Sequence, residues 1–326
     1  MAMYARYLVS ICFTFCLLAL TPLPARADPG AAITDGLRAM RAGNYARAET
    51  AFAAAIADDK STRLQRARAY GYRGSARLRL RRHKDALSDL NRALELDRSS
   101  AWALSERCWA HRGLGQPKRA IDDANRAMMA RRNLLNAFRC RARVYFDQAQ
   151  YDLAAQDLSE VIQSKRLPRS SRARAYRDRG DARYRLGEYE TAAADFERAL
   201  ELEPDHAGAH TARCRALALA GQPKLGLEHC ERALDLQPDS LVALDSQGLA
   251  QFRAGSFGAA IRTFSTLLKR EPEAWYALYH RAMAYEATGN DAAAARDFDA
   301  ALAAAPSKAD FDKKVFRMKA FRKGGS

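Results

Sequence analysis

Cysteine and histidine side chains are the residues of this sequence that first suggest chemistry. Cys108, Cys140, Cys214 and Cys230 follow the first hundred residues, and His210 precedes Cys214 by four positions, about one helical turn. Two sulfurs and an imidazole are ligands that zinc and copper accept. An even number of cysteines is also what a set of disulfide bonds requires. Metal binding, disulfides and buried thiols are therefore the three hypotheses for these side chains.

Motifs for catalysis are missing from the sequence. It contains no glycine-rich nucleotide loop, no nucleophile elbow, no CxxC and no HExxH. We expect acidic residues such as Asp195 and Glu197 to lie at exposed helix positions, where water or surface pairing satisfies them. The sequence therefore predicts no enzyme, no catalytic residues and no small-molecule substrate.

The N-terminal 27 residues have the layout of a secretory signal peptide. Arg6 precedes the apolar run Leu8–Leu20, and residues 25–27 form a small-x-small cleavage site before Asp28. The run is short for a membrane span, which needs about 20 apolar residues, and an uncleaved inner-membrane anchor is the alternative. We expect a cleaved signal and a secreted, periplasmic chain. That compartment argues against nucleic acid as a partner, although the formal net charge is +16.

Composition and periodicity point to repeated helices. Ala, Arg, Leu and Glu dominate, which favours helix throughout. The segment CWAHRGLGQPK from Cys108 returns as CRALALAGQPK from Cys214, an offset of 106 residues. A shorter period of 34 residues separates four prolines: Pro204, Pro238, Pro272 and Pro306. Three 34-residue units and one four-residue insertion, at 63–66 and again at 169–172, account for the longer offset.

This 34-residue pattern resembles the tetratricopeptide repeat (TPR), a helix–turn–helix unit. The resemblance implies an all-α fold: a right-handed superhelical TPR solenoid of about eight repeats with a C-terminal capping helix. Small residues such as Gly180 and Ala192 are expected where the two helices of a repeat approach closely. The predicted parts are the signal peptide 1–27, the solenoid 28–308, and the capping helix and tail 309–326. The repeats are 29–62, 67–100, 101–134, 135–168, 173–206, 207–240, 241–274 and 275–308.

In TPR arrays the first helix of each repeat lines a concave groove, so the resemblance also implies a site. The corresponding positions carry arginines interleaved with aromatic residues, which suit carboxylates and flat apolar contact. We expect a protein partner that presents an acidic segment or a C-terminus. An anionic polymer, such as envelope polysaccharide or lipid headgroups, is the alternative, and arginines that are merely solvated would bind neither. The predicted groove residues are Arg68, Trp102, Trp109, Arg139, Arg143, Phe146, Arg174, Arg177, Tyr184 and Arg215.

The same frame places Cys214 and Cys230 on the two facing helices of one repeat, at its eighth and twenty-fourth positions. We expect buried thiols that fill small-residue positions, because these two positions can be offset by a helical turn. A Cys214–Cys230 disulfide is the alternative, and a metal or redox role is the weakest one. His210 is expected to be a core side chain, and no metal or other cofactor is predicted.

Overall fold

The structure is a computed structural model that describes residues 29–165 and 167–307. The predicted signal peptide and capping helix lie outside this range. Sixteen α-helices and no strands occur in the described residues, so the prediction of an all-α fold of paired helices is confirmed. The helices are α1 Pro29–Arg41, α2 Tyr45–Ala57, α3 Arg63–Arg79, α4 His83–Leu96, α5 Ala101–Gly113, α6 Pro117–Ala130, α7 Leu135–Asp147, α8 Tyr151–Gln163, α9 Arg169–Leu186, α10 Tyr189–Leu202, α11 Ala207–Leu219, α12 Pro223–Leu236, α13 Leu241–Arg253, α14 Phe257–Arg270, α15 Trp275–Ala287 and α16 Asp291–Ala304.

The chain forms two compact units, the first ending at Arg98 and the second beginning at Ser99. The first unit holds the hairpins α1–α2 and α3–α4, which pack through α2 and α3. The second unit holds the six hairpins from α5–α6 to α15–α16. From α7 onward, each first helix of this unit packs against the second helix of the preceding hairpin, and in most cases against its first helix as well. Within the described range, no helix has the length and apolar character that crossing a bilayer requires.

Each hairpin turns through one residue with a left-handed backbone. Glycine occupies this position in six of the eight described hairpins, for example Gly187 with φ 85°, because it has no Cβ to clash in that region. Arg81 and Ala149 adopt the same conformation, both with φ 59°. The turn geometry is therefore kept even where the sequence lacks glycine.

Glycines at the crossing point of a hairpin make room for a large side chain from the second helix. A Cβ atom at Gly180 would lie 2.8 Å from Cε1 of Phe196, and one at Gly248 would lie 2.6 Å from Cε1 of Phe264. Phe196 and Phe264 are fully or almost fully buried. The expected close approach of the two helices is confirmed, and it depends on a small residue facing an aromatic ring.

The four-residue insertions lengthen two first helices by one turn. Helices α3 and α9 have 17 and 18 residues, whereas the other first helices have 13. Arg63 begins α3 and donates from Nε to the carbonyl of Leu96, where α4 ends, at 3.0 Å. Arg169 begins α9 and donates in the same way to Leu202, where α10 ends, at 2.9 Å. Each insertion therefore satisfies a carbonyl at a helix C-terminus.

Buried ion pairs join the two helices of five hairpins. In each pair an arginine of the first helix donates from Nε and Nη2 to both carboxylate oxygens of an aspartate 16 residues later, at 2.6–2.9 Å. The expectation that Asp195 is exposed is wrong, because Asp195 is only 2% exposed. The five pairs are Arg73–Asp89, Arg107–Asp123, Arg141–Asp157, Arg179–Asp195 and Arg281–Asp297.

Candidate ligand-binding groove

The second unit carries two adjoining cavities on its first helices. The first cavity has a volume of about 220 Å³ and is lined by Trp109 and Arg112 from α5, Arg139 from α7 and Arg174 from α9. The second has a volume of about 570 Å³ and is lined by Tyr184 from α9 and by α11 residues including Arg215. Both cavities share a wall, formed by Arg143, Phe146 and Asp181. We call the two cavities together the groove.

Aromatic rings hold the arginines of the first cavity in place. The guanidinium of Arg112 lies 5.9 Å from the centre of a Trp109 ring, and that of Arg143 lies 5.3 Å from the Phe146 ring. Contacts of this kind attract the cation to the face of the ring. The rings therefore orient the arginine head groups and also supply apolar walls.

Hydrogen bonds fix the positions of the helices α5 and α7 at the groove. Trp109 donates from Nε1 to Oδ1 of Asn136 at 3.2 Å, and Asn136 donates to Glu106 at 2.8 Å. Arg112 donates from Nε to Asp147 at 2.7 Å. These bonds cross between two neighbouring repeats, so the spacing of Trp109 and Arg139 is set by the framework before any ligand arrives.

Seven of the ten predicted groove residues line these cavities. They are Trp109, Arg139, Arg143, Phe146, Arg174, Tyr184 and Arg215. Arg68 lies on α3 in the first unit and lines neither cavity, and Trp102 also stays outside both. Arg177 is directed to Glu203, with which it forms an ion pair. The two cavities therefore centre on α5, α7, α9 and α11.

Acidic side chains make the groove less basic than the sequence indicates. Asp178 and Asp181 line the first cavity, and Arg215 pairs with Asp245 at 2.5 Å. Asp178 lies 3.8 Å from Arg174. Burial raises the pKa of Asp178, and burial together with the charge of Asp178 raises the pKa of Asp181 to about 6. The groove is a mixed surface on which arginines surround two carboxylates.

Both cysteine pairs form disulfides. Cys214 and Cys230 have Cα atoms 5.4 Å apart, and Cys108 and Cys140 have Cα atoms 6.3 Å apart, within the range that a disulfide spans. The expectation of thiols is therefore corrected. Positions 8 and 24 of a repeat face each other directly, as Gly180 and Phe196 do, so no helical-turn offset separates Cys214 from Cys230. The Cys108–Cys140 bond joins the first helices α5 and α7 and was not predicted.

His210 contacts a second histidine, His229, and does not form a metal site with the cysteines. Its Nε2 donates to the carbonyl of Pro204 at 2.8 Å, so its Nδ1 accepts a hydrogen bond from Nδ1 of His229 at 3.0 Å. Burial, together with the charges of Arg213 and His210, lowers the pKa of His229 to about 4. His229 stands where five other hairpins have the buried aspartate, and Arg213 reaches Glu197 of the preceding hairpin instead, at 2.8 Å. Among the described residues, no three metal-ligating side chains form a group.

The stacked helical hairpins with a groove across their first helices define a class of protein-interaction scaffold built from repeats. The sequence matches the model of the tetratricopeptide repeat family over residues 34–101, 141–190, 177–240 and 246–309. This is more than half of the chain, and the chain therefore belongs to the tetratricopeptide repeat family. Proteins of this family are in general non-enzymatic and bind other proteins or peptides.

Solved structures of other TPR proteins share the fold. A tetratricopeptide repeat protein from Parabacteroides merdae has a TM-score of 0.52 at 15% identity, over 84% of this chain and 98% of its own. PilF of Pseudomonas aeruginosa has a TM-score of 0.58 at 18% identity, over 66% of this chain and 96% of its own. A chain of the APC/C hetero-tetramer Cut9–Hcn1 has a TM-score of 0.60 at 16% identity, over 68% of this chain and 43% of its own. No curated protein matches the sequence.

Proposed function

We propose that the groove binds an extended segment of another protein that carries acidic side chains or a terminal carboxylate. The observation that carries this proposal is the convergence of Arg139, Arg143 and Arg174 on one cavity whose walls include Trp109 and Phe146. A guanidinium binds a carboxylate through two parallel hydrogen bonds. Aromatic walls add contact area that loses little side-chain entropy when a ligand binds.

The acidic residues of the groove favour a short segment over a uniform polymer. An anionic polymer binds best to an uninterrupted basic surface, whereas Asp178 and Asp181 lie between the arginines. The formal net charge of +16 would still attract such a polymer. Because that attraction is spread over many arginines, it would fall steeply as salt is added, and binding by a peptide would fall less.

Fluorescence anisotropy with a labelled octapeptide of glutamate and leucine tests the proposal. The groove variant is Arg139→Glu/Arg143→Glu, and the control is Arg119→Glu/Arg132→Glu, which makes the same change of charge on residues that line neither cavity. We expect the groove variant to bind at least about tenfold more weakly, since it removes two charge-assisted contacts, and the control to bind as the wild type does. An equal loss of peptide affinity in both variants would support the anionic polymer instead. So would an affinity for dextran sulfate that falls in both the groove variant and the control.

A pull-down from envelope extract then addresses the natural partner. The wild type and the control should capture the same proteins, and the groove variant should lose a subset of them. Circular dichroism of all three chains establishes that the helix content is unchanged. Identical captured sets from the wild type and the groove variant would show that the groove is not where partners bind.

We also propose that the chain is exported and works in the bacterial periplasm. The layout of residues 1–27 supports this, as do the two cysteine pairs, because disulfides persist in oxidising compartments. Fractionation of cells that express the full chain, with mass measurement of the mature N-terminus, tests it. A full-length cytoplasmic chain with four cysteines open to alkylation after unfolding would contradict it. A full-length chain in the membrane fraction would indicate the uncleaved anchor.

A further inference from the structure

Asp181 stands out among the acidic side chains of the groove because it has no close partner. It lies in the wall that both cavities share. Asp178 lies near Arg174 and Asp147 accepts a hydrogen bond from Arg112, but the side-chain carboxylate of Asp181 makes no hydrogen bond or ion pair with any residue in 29–165 or 167–307. Its carboxylate faces the space that a ligand would fill.

The surrounding charges do not compensate for this carboxylate. Arg143, Arg177 and Arg185 act on it only from beyond ion-pair distance, and burial with the charge of Asp178 raises its pKa to about 6. Arg177 is already paired with Glu203. Asp181 is exposed to water in the free groove. A ligand that covers it removes that water, and an unpaired carboxylate is then costly unless the ligand supplies a donor or a cation.

The walls of the second cavity favour a different kind of side chain from those of the first. Phe146, Tyr184, Ala212 and Val242 contribute apolar surface there, and Val242 is 60% exposed. Arg143, Arg185 and Arg215 also line this cavity, and Arg215 is paired with Asp245. The second cavity therefore suits an apolar side chain, whereas the first cavity suits a carboxylate.

We infer that the groove selects a mixed-charge segment, in which an acidic side chain enters the first cavity, a lysine or arginine side chain covers Asp181, and an apolar side chain enters the second cavity. This inference rests on the proposed function and narrows its ligand. Asp181 is then a specificity-determining residue. It rejects a uniformly acidic ligand by repulsion and accepts one that carries a cation at the right place.

Four hexapeptide probes test the inference, each acetylated, amidated and fluorescently labelled. One pair of probes has the order Glu-Glu-Glu-X-Leu-Leu and the other pair has the order Leu-Leu-X-Glu-Glu-Glu. In each pair X is lysine in one probe and glutamine in the other. The variant is Asp181→Asn, which keeps the shape and removes the charge. The control is Asp122→Asn, on the exposed face of α6. We expect the wild type to bind the better lysine probe about five- to tenfold more tightly than its glutamine counterpart, as one charge-assisted contact requires.

The preference for lysine should fall to less than twofold in Asp181→Asn and stay unchanged in Asp122→Asn. Equal binding of lysine and glutamine probes by the wild type, or a preference that survives Asp181→Asn, would overturn the inference. If those results come with strong loss of binding in Arg139→Glu/Arg143→Glu, only the inference falls and the proposed function stands. If the wild type binds none of the four probes, both are overturned.

Discussion

Arg179 and Asp195 face each other across one hairpin and share two hydrogen bonds, of 2.9 and 2.7 Å. Arg183 adds a third bond to the same carboxylate, at 2.9 Å. Asp195 is 2% exposed, so water cannot take the place of either guanidinium if one of them is lost. Loss of one partner of such a pair is strongly destabilising, because an uncompensated buried charge remains.

We therefore predict that Asp195→Asn lowers the free energy of unfolding by about 3 kcal/mol. Urea denaturation followed by circular dichroism measures this change. Glu190→Gln, on the exposed surface of the same helix, is the matched control and should change stability by less than about 0.5 kcal/mol. A loss of similar size in both variants would mean that the buried ion pair contributes no more to stability than an exposed carboxylate does.

His229 makes the fourth hairpin of the second unit sensitive to acid. An unfolded histidine binds its proton near pH 6.5, whereas folded His229 binds it only near pH 4. Between these values the unfolded chain holds more protons, so stability falls as the pH is lowered from about 6.5 to 4. Urea midpoints measured across this range should show the decline.

Replacing His229 restores what the other hairpins have. In His229→Asp the buried Nε of Arg213, which has no hydrogen-bond partner among the described residues, gains a carboxylate, and we expect about 1–2 kcal/mol more stability at pH 7. His229→Asn is the control: it removes the titrating group without adding a charge. Both variants should flatten the decline below pH 6.5, and only His229→Asp should be more stable at pH 7. An unchanged decline in both would assign the acid sensitivity to another group.

Ala149 occupies a left-handed turn position that glycine fills in most hairpins. Ala149→Gly should raise the free energy of unfolding by about 0.5–1 kcal/mol, because the strain exceeds the entropy that glycine adds to the unfolded chain. Gly187→Ala, at the same position one hairpin later, should lower it by a similar amount. Differential scanning calorimetry compares the two, and shifts of the same sign would contradict the prediction.

The two disulfides close loops of different length and should stabilise by different amounts. Loop entropy predicts about 4 kcal/mol for Cys108–Cys140, which are separated by 32 residues, and about 3 kcal/mol for Cys214–Cys230, separated by 16. Urea denaturation of Cys108→Ala/Cys140→Ala and of Cys214→Ala/Cys230→Ala measures how much each disulfide adds to the free energy of unfolding. Cys214→Gly/Cys230→Phe is the matched variant, since it copies Gly180 and Phe196, and it should recover part of the loss. Equal stability of all chains before and after reduction would show that the bonds do not form.

The fold is predictable from the sequence because each hairpin is defined by nearby residues. The 34-residue period, the turn position of Gly187 and the small residue at Gly180 all belong to one hairpin, and they repeat often enough to be recognised. The buried ion pairs had a signal of the same kind, an arginine and an aspartate 16 residues apart in five repeats. That signal was overlooked because acidic residues on helices are usually exposed.

The groove is predictable only in part, because its chemistry depends on pairings between repeats. The frame places Arg139, Arg177 and Arg215 on first helices alike, but Glu203 and Asp245 engage two of them. The Asp181 carboxylate has no ion-pair partner because none of the neighbouring arginines comes close enough to it. The spacing of residues along the chain does not reveal such a distance. Position in a repeat therefore predicts where a side chain lies better than it predicts whether its charge is available.

Cys108 and Cys214 stand at the same position of the two 106-residue copies, yet one is bonded to the next hairpin and the other to its own. The residues that match the partners are Ala124 in the first copy and Ser246 in the second, and Sγ of Cys214 already lies 3.8 Å from the carbonyl oxygen of Ser246. One cysteine position therefore borders two alternative attachment points. In either copy, moving one cysteine to the alternative position would change which helices the disulfide joins. Two substitutions therefore separate a chain with a disulfide between neighbouring hairpins from one whose disulfides all lie within single hairpins.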